Sequence, residues 1–279
     1  MKTAVALVSA RAARGLDEDM PPLLAAFAAA GAHAEIADWD DPEADWARFD
    51  AALLRSAWDY TDKHYLRDLE RLGVPVVATT FVEPGADARE TLGEFLEREV
   101  CAELVVKPAV GAGSRDTRRH ARAASAETLA HVRELLDAHR AVLLQPYFEG
   151  VDQHGETALI YINGRFSHAI RKGPLLPLGA LATDGLFAPE TITRREPGAD
   201  ERAVADRTLA ALPYGELLYA RVDLIRDAAG KPCLLELELA EPSLFFAHEP
   251  RAAMQLAAAA LAWCAPAKAA APGGKSTGR

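Results

Sequence analysis

Nowhere in the chain is there a stretch approaching the roughly 20 uninterrupted apolar residues that a membrane-spanning helix requires. The alanine run at 257–262 is far too short, so a soluble protein with no membrane partner is expected, although half of the 279 residues are hydrophobic. Cysteine is scarce: Cys101, Cys233 and Cys264 stand far apart and form no C-x-x-C pair. That argues against a zinc ribbon or a disulfide framework and fits a reducing cytoplasm. Basic residues are outnumbered, 31 Lys and Arg against 41 Asp and Glu, for a formal charge of −10. Nucleic acid is therefore not expected as a partner, because phosphate backbones need a basic surface. A local cluster of Lys and Arg in a cleft can still hold a small anion.

Several motifs are also missing. After Gly111 and Gly113 the third glycine of G-x-G-x-x-G is Asp116, so no dinucleotide-binding turn is present. Gly274-Lys275-Ser276 imitates the end of a P-loop, but Ala269 stands where its first glycine belongs. His248-Glu249-Pro250 lacks the second histidine of H-E-x-x-H, and no serine sits in G-x-S-x-G, which leaves nucleophilic hydrolysis without support. The first nine residues carry one positive charge and a short apolar run. They read as a buried strand rather than a secretory leader, because a polar segment and then a helix follow.

What is present has three parts. Hydrophobic periodicity predicts strands at 2–9, 34–37 and 51–55 around a helix at 20–30 that Gly31 ends, a small α/β lobe. From residue 62 to 147 a compact α+β unit is expected, with helices at 65–72, 88–97 and after a capping Ser125. Its strands are expected at 103–107 and 141–145, with 76–80 extended. From 148 to 266 the pattern turns antiparallel. Strands at 157–162 and 165–171 flank Asn163-Gly164, a type I′ hairpin signal that would set Glu156 opposite Arg171. Strands at 219–225 and 232–239 form a second hairpin, a helix covers 251–263, and the tail from 267 to 279 has a disordered composition.

Two constellations carry chemistry. Lys107 ends a strand and is followed by Pro108 and the small-residue loop Gly111-Ala112-Gly113-Ser114, a combination suited to phosphate oxygens. In the second hairpin Glu236 and Glu238 share one strand face, with Leu235, Leu237 and Leu239 on the other. A turn with an even residue count would bring Asp223 opposite Glu236. Three converging carboxylates imply a hard cation, Mg²⁺ or Mn²⁺, unless the strand face is simply acidic and solvated. Arg171-Lys172 near Glu156 is either a clamp for a transferring phosphoryl group or a cross-strand salt bridge.

In order, Asp62-Lys63, Val106-Lys107-Pro108, Gln145-Pro146-Tyr147, Arg171-Lys172, Asp223 and Glu236-Leu237-Glu238 resemble the ATP-grasp superfamily over nearly the whole chain. Arg55-Ser56-Ala57-Trp58-Asp59-Tyr60, Gly155-Glu156 and Glu241-Pro242-Ser243-Leu244 are similar to its glutathione-synthetase-like branch. The resemblance implies an ATP-grasp fold with a small N-terminal α/β lobe (1–61), a lid subdomain (62–147) and an antiparallel-sheet core (148–266). It implies an ATP-dependent carboxylate–amine ligase working through an acyl phosphate. The substrate would be small and amino-acid-like, the O-ureido-serine kind being one that the branch admits. Asp223, Glu236 and Glu238 would hold Mg²⁺ or Mn²⁺. Lys63, Lys107, Gly111, Gly113 and Ser114 would grip the ATP phosphates, Gln145 and Tyr147 the adenine, and Asp152 the ribose. Arg171, with Lys172, would stabilise the transferring phosphoryl group. Soluble homo-oligomers default to dimers, so a homodimer is the expected assembly. Relatives of the branch carry a further helix and strand before the Asp-Lys helix, whereas Thr61 meets Asp62 directly here. The first lobe is thus expected to be abbreviated, and a nucleotide-binding relative without turnover is the competing reading.

Overall fold

The computed structural model describes residues 2–56, 65–109, 116–174, 176, 178 and 191–264. Strand β1 (Ala4–Ser9), helix α1 (Met20–Ala29), β2 (His33–Asp38) and β3 (Ala51–Ser56) form the first unit. Its sheet has the order β2-β1-β3 and is parallel throughout. Prolines fall in the first turn of α1, where a missing N–H costs nothing, and Gly31 at φ +81° ends the helix in the left-handed region.

Helix α2 (Tyr65–Arg71), β4 (Thr80–Val82), α3 (Ala88–Arg98), β5 (Glu103–Pro108), β6 (Arg118–Ala121), α4 (Ser125–Asp137) and β7 (Val142–Pro146) follow. The strands make a four-stranded sheet in the order β4-β7-β5-β6. Leu104, Val106, Val142 and Leu144 on one face pack with Leu92 and Phe95 of α3 and Leu129 and Val132 of α4. The opposite face carries Val105, Lys107, Arg119 and Gln145, because Val105 pairs with both Arg119 and Gln145. Asp87 caps α3 by accepting from the N–H groups of Arg89 and Glu90 at 2.9 and 3.1 Å. Ser125 does not cap α4. The helix already includes it, and Ala124 is the boundary residue, its carbonyl accepting both the N–H (3.0 Å) and the hydroxyl (2.9 Å) of Thr128.

The third unit contains α5 (Gly150–His154), β8 (Glu156–Ile162), β9 (Arg165–Lys172), β10 (Ile192–Arg195), α6 (Ala199–Ala210), β11 (Tyr219–Arg226), β12 (Pro232–Glu238) and α7 (Pro250–Cys264). Its antiparallel sheet runs β10-β9-β8-β11-β12. One face, with Leu159, Tyr161, Val222 and Leu237, packs on Leu66 and Leu69 of α2 and Ala205 of α6. The other, with Ala158, Ile160, Ile170 and Tyr219, packs on Leu7, Phe27 and Leu53 of the first unit and Leu256 of α7. Each fully buried Leu or Phe here contributes about 1.5–3 kcal/mol, so the five-stranded sheet is the common core. The apolar side of helix α2 therefore packs on this sheet, while its Arg67 stacks on Phe81 of β4 in the four-stranded one. Val76 bridges Leu234 in parallel, and the chain then crosses to β4, so the extended segment expected at 76–80 is shared between two sheets.

Two irregularities decide which side chains meet. Asn163 and Gly164 have φ of 50° and 69°, as a type I′ turn requires. Beyond the turn, however, Tyr161 pairs with Phe166 while Ile160 pairs with His168, leaving Ser167 as an extra residue. Glu156 consequently lies opposite Lys172, not opposite Arg171. In the second hairpin the turn is odd: Asp227 N–H bonds the Lys231 carbonyl around residues 228–230, with Gly230 at φ +74°. Asp223 still pairs with Glu236 because Leu224 pairs with Leu234 and Leu235 is bulged out. Leu235 therefore joins Cys233, Ile225, Phe148 and Val151 rather than the face of Leu237 expected for it.

Candidate active site

At one end of the five-stranded sheet the side chains facing the first unit change from apolar to ionised. Alternation along β11 puts Arg221 and Asp223 on this face, and β12 adds Glu236 and Glu238 through the Leu235 bulge. One carboxylate oxygen from each of Asp223, Glu236 and Glu238 lies within 4.8 Å of the others. Asp223 is fully buried. It accepts from Lys172 Nζ at 2.7 Å and from Arg221 Nε and Nη2, each at 2.9 Å. Lys172 also donates to Glu156, and Arg221 to Glu238. The hydroxyl of Tyr65 accepts the N–H of Leu237 at 2.8 Å beside them.

Among the described residues, four carboxylates, Glu156, Asp223, Glu236 and Glu238, gather around two cations, Lys172 and Arg221. Burial pushes Glu156 and Glu238 up to about 7, with Lys172 and Arg221 respectively offsetting only part of the cost. Burial opposes ionisation of Asp223 too, but Arg221 and Lys172 outweigh it and hold that carboxyl below its usual range. An all-oxygen donor set in an anionic pocket fits a hard divalent cation.

A second group lies where the four-stranded sheet meets α5. Tyr147 donates its hydroxyl to Asp152 Oδ1 at 2.5 Å, and its ring sits 3.6 Å under the Arg119 guanidinium. Asp152 is held below its ordinary acidity range by that hydroxyl and by Arg119. Gln145 is buried and donates to Thr79 Oγ1 at 2.8 Å. Lys107, also buried, lies on the same sheet face as Gln145.

Of the residues expected from the sequence, the structure unites Lys172 with Asp223, Glu236 and Glu238, and Tyr147 with Asp152. Arg171 is not in either group. It points to the opposite face from Lys172 and donates to the carbonyls of His154 (2.8 Å) and Gln153 (3.2 Å), closing the end of α5. Lys63, Gly111, Gly113 and Ser114 lie outside the described residues. Arg221 and Glu156 were legible but unassigned: the spacing Arg-x-Asp on a strand already puts Arg221 on the carboxylate face, and only the Ser167 bulge brings Glu156 to Lys172. Tyr65 and Arg119 gave no local signal.

A family model described as the N-terminal domain of the D-cycloserine synthetase DcsG matches residues 5–78. The cycloserine biosynthesis protein DcsG of Streptomyces lavendulae is 39% identical over 295 residues, covering 91% of this chain and 97% of that one. A crystal structure of D-cycloserine synthetase DcsG superposes with a TM-score of 0.87 at 37% identity, covering 94% of this chain and 99% of that one. A D-alanine–D-alanine ligase from Bacillus anthracis gives a TM-score of 0.70 at 16% identity, with coverage of 95% and 97%. The ATP-grasp ligase PsnB, in a complex with Mg and ADP, gives 0.65 at 19% identity, with coverage of 95% and 99%. These last two speak for the fold alone.

Proposed function

The chain belongs to the D-cycloserine synthetase family of ATP-grasp ligases, and from that premise we propose that it joins a small amino-acid carboxylate to an amine at the expense of ATP, on a substrate of the O-ureido-serine kind. The observation that carries this reading is the convergence of Asp223, Glu236 and Glu238 within 4.8 Å, beside Lys172 and Arg221. It favours turnover over a nucleotide-binding relative without it, because the three carboxylates converge on one face with Lys172 and Arg221 beside them.

A carboxylate is a poor electrophile. Transfer of the γ-phosphoryl group to one of its oxygens releases ADP and gives an acyl phosphate; attack by the amine nitrogen then forms the C–N bond, expels phosphate and frees a proton. Bound by Asp223, Glu236 and Glu238, Mg²⁺ or Mn²⁺ would supply the positive charge that opposes the phosphate oxygens. Lys172 and Arg221 stabilise negative charge developing on the transferring group, in a site whose burial strengthens every such interaction. Lys107, with Lys63, Gly111, Gly113 and Ser114, grips the phosphates. Gln145 and Tyr147 border the base and Asp152 the ribose. In this reading residues 1–61, 62–147 and 148–266 act as substrate lobe, lid and core, with α2 anchored on the core. A cytoplasmic homodimer is part of the same reading.

The test is the unfolding midpoint with Mg²⁺-ATP, with ATP plus chelator, and for a Glu236→Gln, Glu238→Gln double variant. A nucleotide that binds only the folded state adds about 2.7 kcal/mol at a hundredfold excess over Kd. The gain should need both metal and carboxylates, and ADP release should need both carboxylate and amine. A folded protein that shows no gain with Mg²⁺-ATP overturns the proposal.

A further inference from the structure

Arg119 lies on β6 opposite Val105, on the sheet face that also carries Lys107 and Gln145. No assignment above gives it a role, yet it is the most heavily engaged side chain in this corner. Its Nε donates to Glu103 at 2.8 Å, Nη1 to Asp152 Oδ1 at 3.2 Å and to the Leu176 carbonyl at 3.3 Å, and Nη2 to Asp152 Oδ2 at 3.2 Å. The guanidinium also stacks on Tyr147. Arg119 thus reaches from the four-stranded sheet across to α5 of the neighbouring unit. Its side chain is only 10% exposed, whereas that of Asp152 is 43% exposed.

That contrast in exposure matters. A carboxylate has about four acceptor positions. Among the described residues, Tyr147 and the two Arg119 nitrogens fill three of them on Asp152, which leaves one on Oδ2. The buried partners fix the orientation of a carboxylate that is itself partly exposed, an arrangement suited to a hydroxyl of a vicinal diol. We propose that Arg119 is a positioning residue for the nucleotide: it sets Asp152 against the ribose diol and Tyr147 against the base, and ties the four-stranded sheet to the core while doing so. This rests on the reading of Tyr147 and Asp152 as nucleotide contacts.

The opposite role, a plug that leaves when nucleotide enters, makes the contrary prediction, so the sign of the effect is decisive. The full-length enzyme is assayed for ADP release as Arg119→Gln, Arg119→Lys and Asp152→Asn, varying ATP at saturating amino-acid substrate. Arg119→Gln should raise KM for ATP about tenfold, leaving kcat within about threefold and KM for the amino-acid substrate unmoved. Arg119→Lys should recover part of the loss, since it keeps the charge without the planar fork or the stacking. If Asp152→Asn raises KM for ATP while both Arg119 variants, folded by circular dichroism, leave it unchanged or lower it, the inference about Arg119 fails alone. If Asp152→Asn also leaves it unchanged, the reading of this corner as a nucleotide site fails, and the inference falls with it.

Discussion

The carboxylate of Asp19 accepts the backbone N–H of Phe246 at 2.7 Å, across 227 positions of sequence. It also takes the N–H groups of Phe245, at 3.0 Å, and of Leu244. The preceding carbonyls are held in turn: Pro242 by the buried Arg55 at 3.0 Å, Ser243 by Arg221 at 3.2 Å and Leu244 by His168 at 2.9 Å. One segment is therefore clamped between the first unit and the carboxylate cluster.

Asparagine at position 19 keeps one acceptor oxygen but turns an NH₂ group toward backbone donors. Asp19→Asn should lower unfolding stability by about 2–4 kcal/mol, since hydrogen bonds to a charged group are among the stronger ones. Urea denaturation measures it. Turnover should fall as well, because the Ser243 carbonyl that orients Arg221 loses its anchor.

Arg171 and Lys172 are neighbours in sequence with opposite expectations. Lys172→Ala removes the cation between Glu156 and Asp223 and should cut kcat by about a hundredfold or more. Arg171→Ala should leave kcat within about threefold while costing roughly 1–3 kcal/mol, the value of its bonds to the end of α5. Parallel assays of ADP release and thermal unfolding separate the two. Equal losses of turnover would restore the phosphoryl-clamp role to Arg171.

His131 lies 3.1 Å from His120, nitrogen to nitrogen, under β6. Burial, with Arg118 and His120 adding to it, lowers its pKa from 6.5 to about 4. The unfolded chain thus binds a proton near pH 6.5 that the folded chain refuses until about pH 4. Stability contributed here is present above 6.5 and lost as the pH falls through that window, by about 1–2 kcal/mol after allowance for solvent screening. His131→Gln should flatten the pH dependence of the urea midpoint between pH 7 and 5 by that amount.

Gly155 has φ +68°, and a Cβ there would stand 2.3 Å from the Lys172 carbonyl. Gly155→Ala combines a strained backbone with a clash against backbone and should cost more than about 2 kcal/mol. A melting temperature unchanged by the substitution would show that β8 and β9 can part here without penalty.

Most of the framework could be read from periodicity. The first unit, α3, β5, β7 and both hairpins fall within a few residues of expectation, because their apolar patterns are regular and their ends carry Gly, Pro or Asp. β10 and α6 went unanticipated, since the charged 192–210 stretch shows no clear stripe, and the buried Glu201 is matched by partners distant in sequence such as Thr157 and Arg226. β6 was hidden for the same reason: Arg118, Arg119 and His120 show no apolar alternation to mark a strand. In the site, residue types were legible and registers were not. Two bulges are decided by packing between strands: the one at Ser167 sets Lys172 rather than Arg171 opposite Glu156, and the one at Leu235 sets Glu236 opposite Asp223.

The Leu235 bulge has a bearing on how this hairpin can vary in length. Straightened with all residues retained, β12 would put Leu235 opposite Asp223 and turn Glu236 toward Leu159 and Val222, in the apolar core. With Leu235 deleted, Leu234 and Glu236 become adjacent, and the three carboxylates stay on one face. A homologue one residue shorter at this point can therefore keep the same ligand geometry, whereas one of equal length with a regular strand cannot. Position 235 is a spare place in the strand, and an alignment through it has one column with no spatial counterpart.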